Sequence, residues 1–193
     1  MALTLISTPL DITTADTAVA TVDITSGIDG TYDSYEFHFV NMHPSIDNAE
    51  FQFQVNASND TGGDFTSSLI TSTFFNAYNR EGNEGAGLAY DTYYDQAQSG
   101  GSSVFTGGFQ LLARYIGLDD DQCCSGVLTL YAPSSTTYVK HFTATVSSTY
   151  KTEYYFNNYI AGYINQTLAT PEIRFKMGSG NIDAGTIKMF GVS

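Results

Sequence analysis

The side chains able to do chemistry in this chain are few and scattered. Three histidines, His38, His43 and His141, stand apart from one another. No Gly-x-Ser-x-Gly nucleophile motif, phosphate-binding loop or zinc-ligand spacing accompanies them, so they read as surface or interface groups rather than as bases or ligands. Asp119, Asp120 and Asp121 place three carboxylates in a row. Carboxylate oxygens suit a hard cation such as calcium, but the run lacks the alternating spacing of a calcium loop, and a solvated acidic tip is the favoured reading. Carboxylates are plentiful, yet no spacing singles out the acid–base pair of a depolymerase. Cys123 and Cys124 are adjacent. Neighbouring cysteines cannot tie distant strands together, which leaves a vicinal disulfide, an intersubunit bond, or two reduced thiols in a loop. No catalytic or cofactor-binding residue is expected, and the expectation is a non-enzymatic protein.

Two further sets of residues offer surface chemistry. Tyr90, Tyr93 and Tyr94, with the group Tyr150, Tyr154, Tyr155, Tyr159 and Tyr163, present flat amphipathic rings suited to sugar or protein contacts; packing within the fold or between subunits is the other reading. Asn56, Asn59 and Asn165 each begin an N-glycosylation acceptor triplet. In so Asn- and Thr-rich a chain, such triplets also arise by chance.

Composition narrows the partners. The chain has 193 residues, enough for one domain with a substantial core. Lys and Arg number 7 against 20 Asp and Glu, and a net charge of −13 argues against a nucleic-acid backbone or an anionic membrane as partner. Charged residues make up only 14%, and hydroxyl and amide side chains take their place, as in exposed, secreted or particle-bound β-proteins. The start, Met-Ala-Leu-Thr-Leu-Ile-Ser, carries no basic region or sustained apolar run, so no secretory signal is expected. No stretch approaches the ~18 apolar residues of a membrane helix, and membrane insertion is not expected.

The elements that position these groups read as strands. In 171–177, Ile173, Phe175 and Met177 alternate with Glu172, Arg174 and Lys176, the period of two that separates a buried face from a solvated one. Gly178 to Gly185 reads as the connection to a return arm in which Ile187 and Met189 alternate with Thr186 and Lys188. Further strands are expected at 18–24, 35–41, 51–55, 68–78, 107–115, 127–131, 138–146 and 154–164. In 138–146, Lys140 falls on the same face as Phe142, Ala144 and Val146. Gln52 and Gln54 are expected to face water or a partner, and 41–48 to form a loop. Residues 88–98 suggest one short helix. Residues 2–12 contain Pro9 and alternate weakly, which suits an edge strand or an extended arm. The expected architecture is all-β: an antiparallel β-sandwich of jelly-roll type with at most one short helix. Residues 1–30 would form a strand or arm, with Leu3, Leu5 and Ile6 as assembly contacts, and residues 31–193 the sandwich domain.

Four segments carry a family resemblance. Tyr35-Glu-Phe-His-Phe-Val-Asn-Met-His-Pro44, Ser134-Ser-Thr-Thr-Tyr-Val-Lys-His-Phe142, Ile160-Ala-Gly-Tyr163 and Ser179-Gly-Asn-Ile-Asp-Ala-Gly-Thr-Ile-Lys188 resemble uncharacterised structural proteins of aquatic tailed bacteriophages. The likeness runs from about Thr31 onward. It implies a tail-fibre or virion-surface jelly roll with a virion or extracellular location, and it carries no catalytic residues. The expected partners are copies of the chain itself, in a homo-oligomer or filament, and other virion proteins. The rival expectation is an adhesive module that holds cell-surface glycans through Tyr90, Tyr93 and Tyr94, or a free extracellular filament subunit.

Overall fold

Alternating sequence becomes strand along almost the whole chain. The computed structural model describes residues 2–12, 17–57, 65, 68–82, 84–97 and 108–193. Among the described residues twelve strands follow in order: β1 (Leu3–Ile12), β2 (Thr21–Ile24), β3 (Ser34–Pro44), β4 (Ala49–Asn56), β5 (Ile70–Arg80), β6 (Ala86–Tyr90), β7 (Gln110–Ile116), β8 (Cys124–Tyr131), β9 (Lys140–Tyr150), β10 (Tyr154–Ile164), β11 (Glu172–Met177) and β12 (Ile182–Val192). All pairings are antiparallel, and the described residues contain no helix.

The pairing is nested. β1 pairs β12, β2 pairs β11, β3 pairs β8 and β4 pairs β7, as though one long hairpin had been drawn from the two halves of the chain. Lateral pairing of β12 with β3 and of β11 with β4 rolls that hairpin up. One layer then runs β1-β12-β3-β8-β9-β10-β5-β6 and the other β2-β11-β4-β7. Single bridges, Ile116 to Tyr150 and Val19 to Ile182, join the layers at two corners, so the sheet nearly closes into a barrel- or sandwich-like shape.

The interior is aromatic. Phe175 of β11 lies 5.4 Å from Phe37, 5.2 Å from Phe39 and 6.0 Å from Phe51, ring centre to ring centre. Phe53 of β4 meets Phe142 of β9 edge-on at 5.1 Å. Apart from the stacked pair Phe175–Phe51, which lies within one layer, these contacts join the two layers in the tilted or edge-to-face arrangement that ring quadrupoles favour.

Several expectations are corrected. The short helix expected at 88–98 is absent from its described part, 88–97: Leu88 and Tyr90 belong to β6, because pairing with β5 satisfies their backbone groups. The segment 41–48 is strand as far as Pro44, continued through a bulge at Asn41 (φ 51°). Gly185 lies inside β12 at a matching irregularity rather than in the connecting turn. Gln52 and Gln54 are buried, since a side-chain nitrogen of Gln54 donates to the backbone oxygens of Ser68 (3.1 Å) and Gly108 (2.8 Å) in segments crossing that face. The strand expected within residues 1–30 needs no correction: β1 and β2 lie there and pair with β12 and β11 of the same chain. Lys140 is fully buried, as its place in the alternation requires. Its ammonium donates to the carbonyls of Tyr138 (3.0 Å), Thr167 (2.9 Å) and Gln166 (3.4 Å), and burial lowers its pKa.

Candidate functional site

The outer face of the longer layer divides by charge. On its β12–β3 side, Glu36, His38 and Lys188 point outward, with His38 Nε2 2.8 Å from Glu36 Oε2. Across β8, β9, β10, β5 and β6 the outward positions change character. One cross-strand row reads Val127, Thr145, Tyr159, Phe75, Tyr90, and the next reads Thr129, Thr143, Ala161, Thr73. A third runs Ser125, Ser147, Asn157, Ala77, Leu88. No Asp, Glu, Lys or Arg occupies an outward position on these strands. Leu88 is 80% exposed and Tyr90 59%. Phe75 stacks on Tyr159 at 4.9 Å with the rings 12° apart, so the two neighbours form one flat aromatic step. Four inter-strand steps of ~4.8 Å and about nine residues at ~3.4 Å give a plane of roughly 600 Å².

A second site is a cleft of about 460 Å³ lined by Asn41, His43, Asp120, Cys123, Asp183 and Ala184. The bulges in β3 and β12 create it. Gly185 is required there (φ 125°), because a Cβ would stand 2.8 Å from Met42 Cα and 2.9 Å from the Asn41 carbonyl oxygen. His43 Nδ1 lies 2.7 Å from Asp183 Oδ1, and Nε2 3.4 Å from the Asp119 carbonyl. The Cys123 thiol donates to Asn41 Oδ1 at 3.9 Å, and burial raises its pKa. An oriented imidazole, a carboxylate and a thiol therefore share one cleft, but the thiol is neither paired with the imidazole nor held as thiolate. That arrangement does not make an activated nucleophile.

Of the residues singled out from the sequence, His43, Asp120 and Cys123 meet in this cleft and the others lie apart. Asp119, Asp120 and Asp121 are exposed, and Asp119 accepts from Gln122. No group of three or more His, Cys, Asp or Glu side chains able to hold a metal ion occurs among the described residues. Cys123 and Cys124 are both free thiols. Asn56 is buried, with Nδ2 donating to Glu172 Oε2 at 2.8 Å, so the folded protein does not present it as an acceptor. Asn59 lies outside the described residues, and Asn165 is exposed. Leu3 and Leu5, 49% and 54% exposed, and half-buried Ile6 sit on β1, which leaves one edge of the layer unpaired among the described strands.

Among the tyrosines, Tyr90 and Tyr93 are exposed, but Tyr94 is an interior residue whose hydroxyl donates to Tyr115 Oη at 2.7 Å. It cannot touch a glycan on the surface. Burial, the hydrogen bond to Tyr115 and its charge push the Tyr94 pKa well up; burial also raises that of Tyr35. Between the ordinary value of about 10 and the raised ones, the folded state holds protons that the unfolded state has lost, so stability falls as pH climbs through that range. In an absorbance titration of tyrosinate, these two side chains are expected to ionise only as the protein unfolds. Full ionisation of all 14 tyrosines without loss of circular dichroism would contradict this.

Within the described residues, no helix is long and apolar enough to cross a membrane. Comparison of the chain with protein families, with curated proteins and with solved structures finds no match. The uncharged face escaped the sequence because each of its strands contributes only alternate residues. Thr143, Thr145 and Ser147 are outward positions in β9, and only the register sets them beside Tyr159 and Val127.

Proposed function

We propose that this protein is a non-enzymatic structural subunit, a jelly roll that works by assembling with copies of itself through the uncharged face of its longer layer. The observation that carries the reading is that face. A chain of charge −13 repels its own copies, and a face whose outward strand positions hold no Asp, Glu, Lys or Arg, with Asp95 at its rim on the Tyr90 hydroxyl, is where two of them meet with few opposing carboxylates. Its plane of roughly 600 Å² is of the order of the ~800 Å² that each partner contributes to a standard interface. The nested pairing of β1 with β12, β2 with β11, β3 with β8 and β4 with β7 supports the jelly-roll form, with β5–β6 and β9–β10 as additions that widen one layer and build the face.

The resemblance to bacteriophage structural proteins favours a tail-fibre or virion-surface component, whose partners are its own copies and other virion proteins. A contact that closes on itself gives a ring or fixed oligomer, and one that does not gives a filament.

Sedimentation velocity tests the assembly. The wild type is expected to run as species larger than the 20.9 kDa monomer, more so in about 0.5 M salt, where screening removes the repulsion between copies. Thr145→Glu combined with Tyr159→Glu places two carboxylates in the middle of the face and is expected to give monomers with unchanged circular dichroism. A wild type that stays monomeric in high salt, or a double variant that assembles as before, overturns the reading. Leu5→Lys, on the unpaired edge of β1, is the control for assembly by strand addition and is expected to leave the oligomer intact.

A further inference from the structure

At the seam between the layers lies a small pocket of about 180 Å³, away from the flat face and from the histidine cleft. Tyr78 of β5, Arg114 and Tyr115 of β7, Tyr150 of β9, and Tyr154 and Phe156 of β10 line it. The seam arises because β7 and β9 share a single bridge, Ile116 to Tyr150, where the layers part. Tyr115 adopts φ 56°, a conformation that a bulky side chain takes up only when its surroundings demand it. Tyr115 and Tyr150 are 5.4 Å apart, and Tyr154 lies nearly parallel to Phe156 at 6.0 Å. The Arg114 guanidinium sits over Phe156 at 4.5 Å and Tyr115 at 5.3 Å, and its Nη1 donates to Asp91 Oδ2 at 3.2 Å. Its Nε is buried without a hydrogen-bond partner.

The geometry points to a binding site for one neutral hexopyranose ring, such as the end residue of a glycan. Stacked and tilted aromatic rings offer apolar surface to the C–H groups of a pyranose, while the Tyr115 hydroxyl is taken up by Tyr94. Arg114, held by Asp91, is the one charged donor among the residues that line the pocket, set in an otherwise aromatic wall. The volume corresponds to about six waters at ~30 Å³ each, room for one ring and not for two. Charge decides between neutral and acidic sugars. Arg114 is already neutralised by Asp91, and the chain's charge of −13 disfavours an anion, so the neutral sugar is selected. A ligand of about a dozen heavy atoms on a site this small binds at about millimolar affinity.

Saturation-transfer NMR on the full chain tests this with the methyl glycosides of glucose, galactose and mannose, and with methyl glucuronide as the acidic comparison. The expected result is transfer to the ring protons of at least one neutral glycoside, displaced by the free sugar. Tyr154→Ala is expected to weaken binding tenfold or more and Tyr154→Phe to retain it, both with unchanged circular dichroism. Should Tyr154→Ala not fold, shifts of the wild-type Tyr78, Tyr150 and Tyr154 ring resonances during a glycoside titration read the site directly. The assignment is overturned if none of the three neutral glycosides shows transfer, if methyl glucuronide binds more tightly than all of them, or if folded Tyr154→Ala binds as the wild type does. It is also overturned if those ring resonances stay unmoved at saturation.

Discussion

Phe175→Ala is expected to lower the free energy of unfolding by about 3–5 kcal/mol, the range for truncating a buried phenylalanine. Phe175 is fully buried on β11 and touches Phe37 and Phe39 of the opposite layer and Phe51 of its own. Removing it opens a cavity where three rings converge, and rings fixed by strands on either side cannot collapse into the gap. At about 2.1 cal/mol/K per residue, the 193-residue chain would melt roughly 7–12 °C lower. The control is Phe75→Ala on the outer face, where the ring is partly exposed and the loss should stay near 1 kcal/mol. Thermal melts followed by circular dichroism decide it. Equal shifts for the two variants would mean that the layers do not pack through Phe175.

The second large effect is expected at Gly126. It lies directly opposite Val146 in the β8–β9 pair, beside the point where β3 bulges away. A Cβ on Gly126 would overlap the Thr145 carbonyl oxygen and stand 2.6 Å from Val146 Cα and 2.9 Å from Val146 Cγ2. Two of these are backbone atoms, so no rotamer change relieves the overlap and the strands themselves must separate. Gly126→Ala is expected to cost about 3 kcal/mol or more, at or beyond the upper end of overpacking penalties. Val127→Ala, one residue along and pointing outward, should cost far less. Chemical denaturation of the pair measures the difference. A Gly126→Ala protein of wild-type stability would show that β8 and β9 do not approach so closely.

Much of the fold was legible because strands write their burial into alternate residues. The 171–177 arm is buried at Ile173, Phe175 and Met177 and half-buried at Glu172, Arg174 and Lys176, as its period of two requires. The same alternation put Lys140 inside, against its chemical type, and three backbone carbonyls make that position tolerable. The failures have a common cause. Gln52 and Gln54 are polar, and only the segments folded over β4 turn their face into an interior. Leu88 and Tyr90 carried a pattern short enough to fit a helical turn, and β5 decided in favour of strand. Tyr94 resembled its exposed neighbour Tyr93, and its contact with Tyr115 shows which side of the layer it occupies.

By itself, then, the sequence determined an all-β chain, the inward side of most strands, a low and strongly negative charge, and the absence of any recognisable catalytic motif. These are local or additive properties, set by neighbours two positions apart or by composition. The tertiary structure alone decided which outward residues lie side by side. A face whose outward strand positions are uncharged across β8, β9, β10, β5 and β6, and an arginine set over the rings of Tyr94, Tyr115 and Phe156, are properties of register and layer packing. Register joins residues such as Phe75, Thr145 and Tyr159, and the spacing between them in the chain carries no trace of the contact.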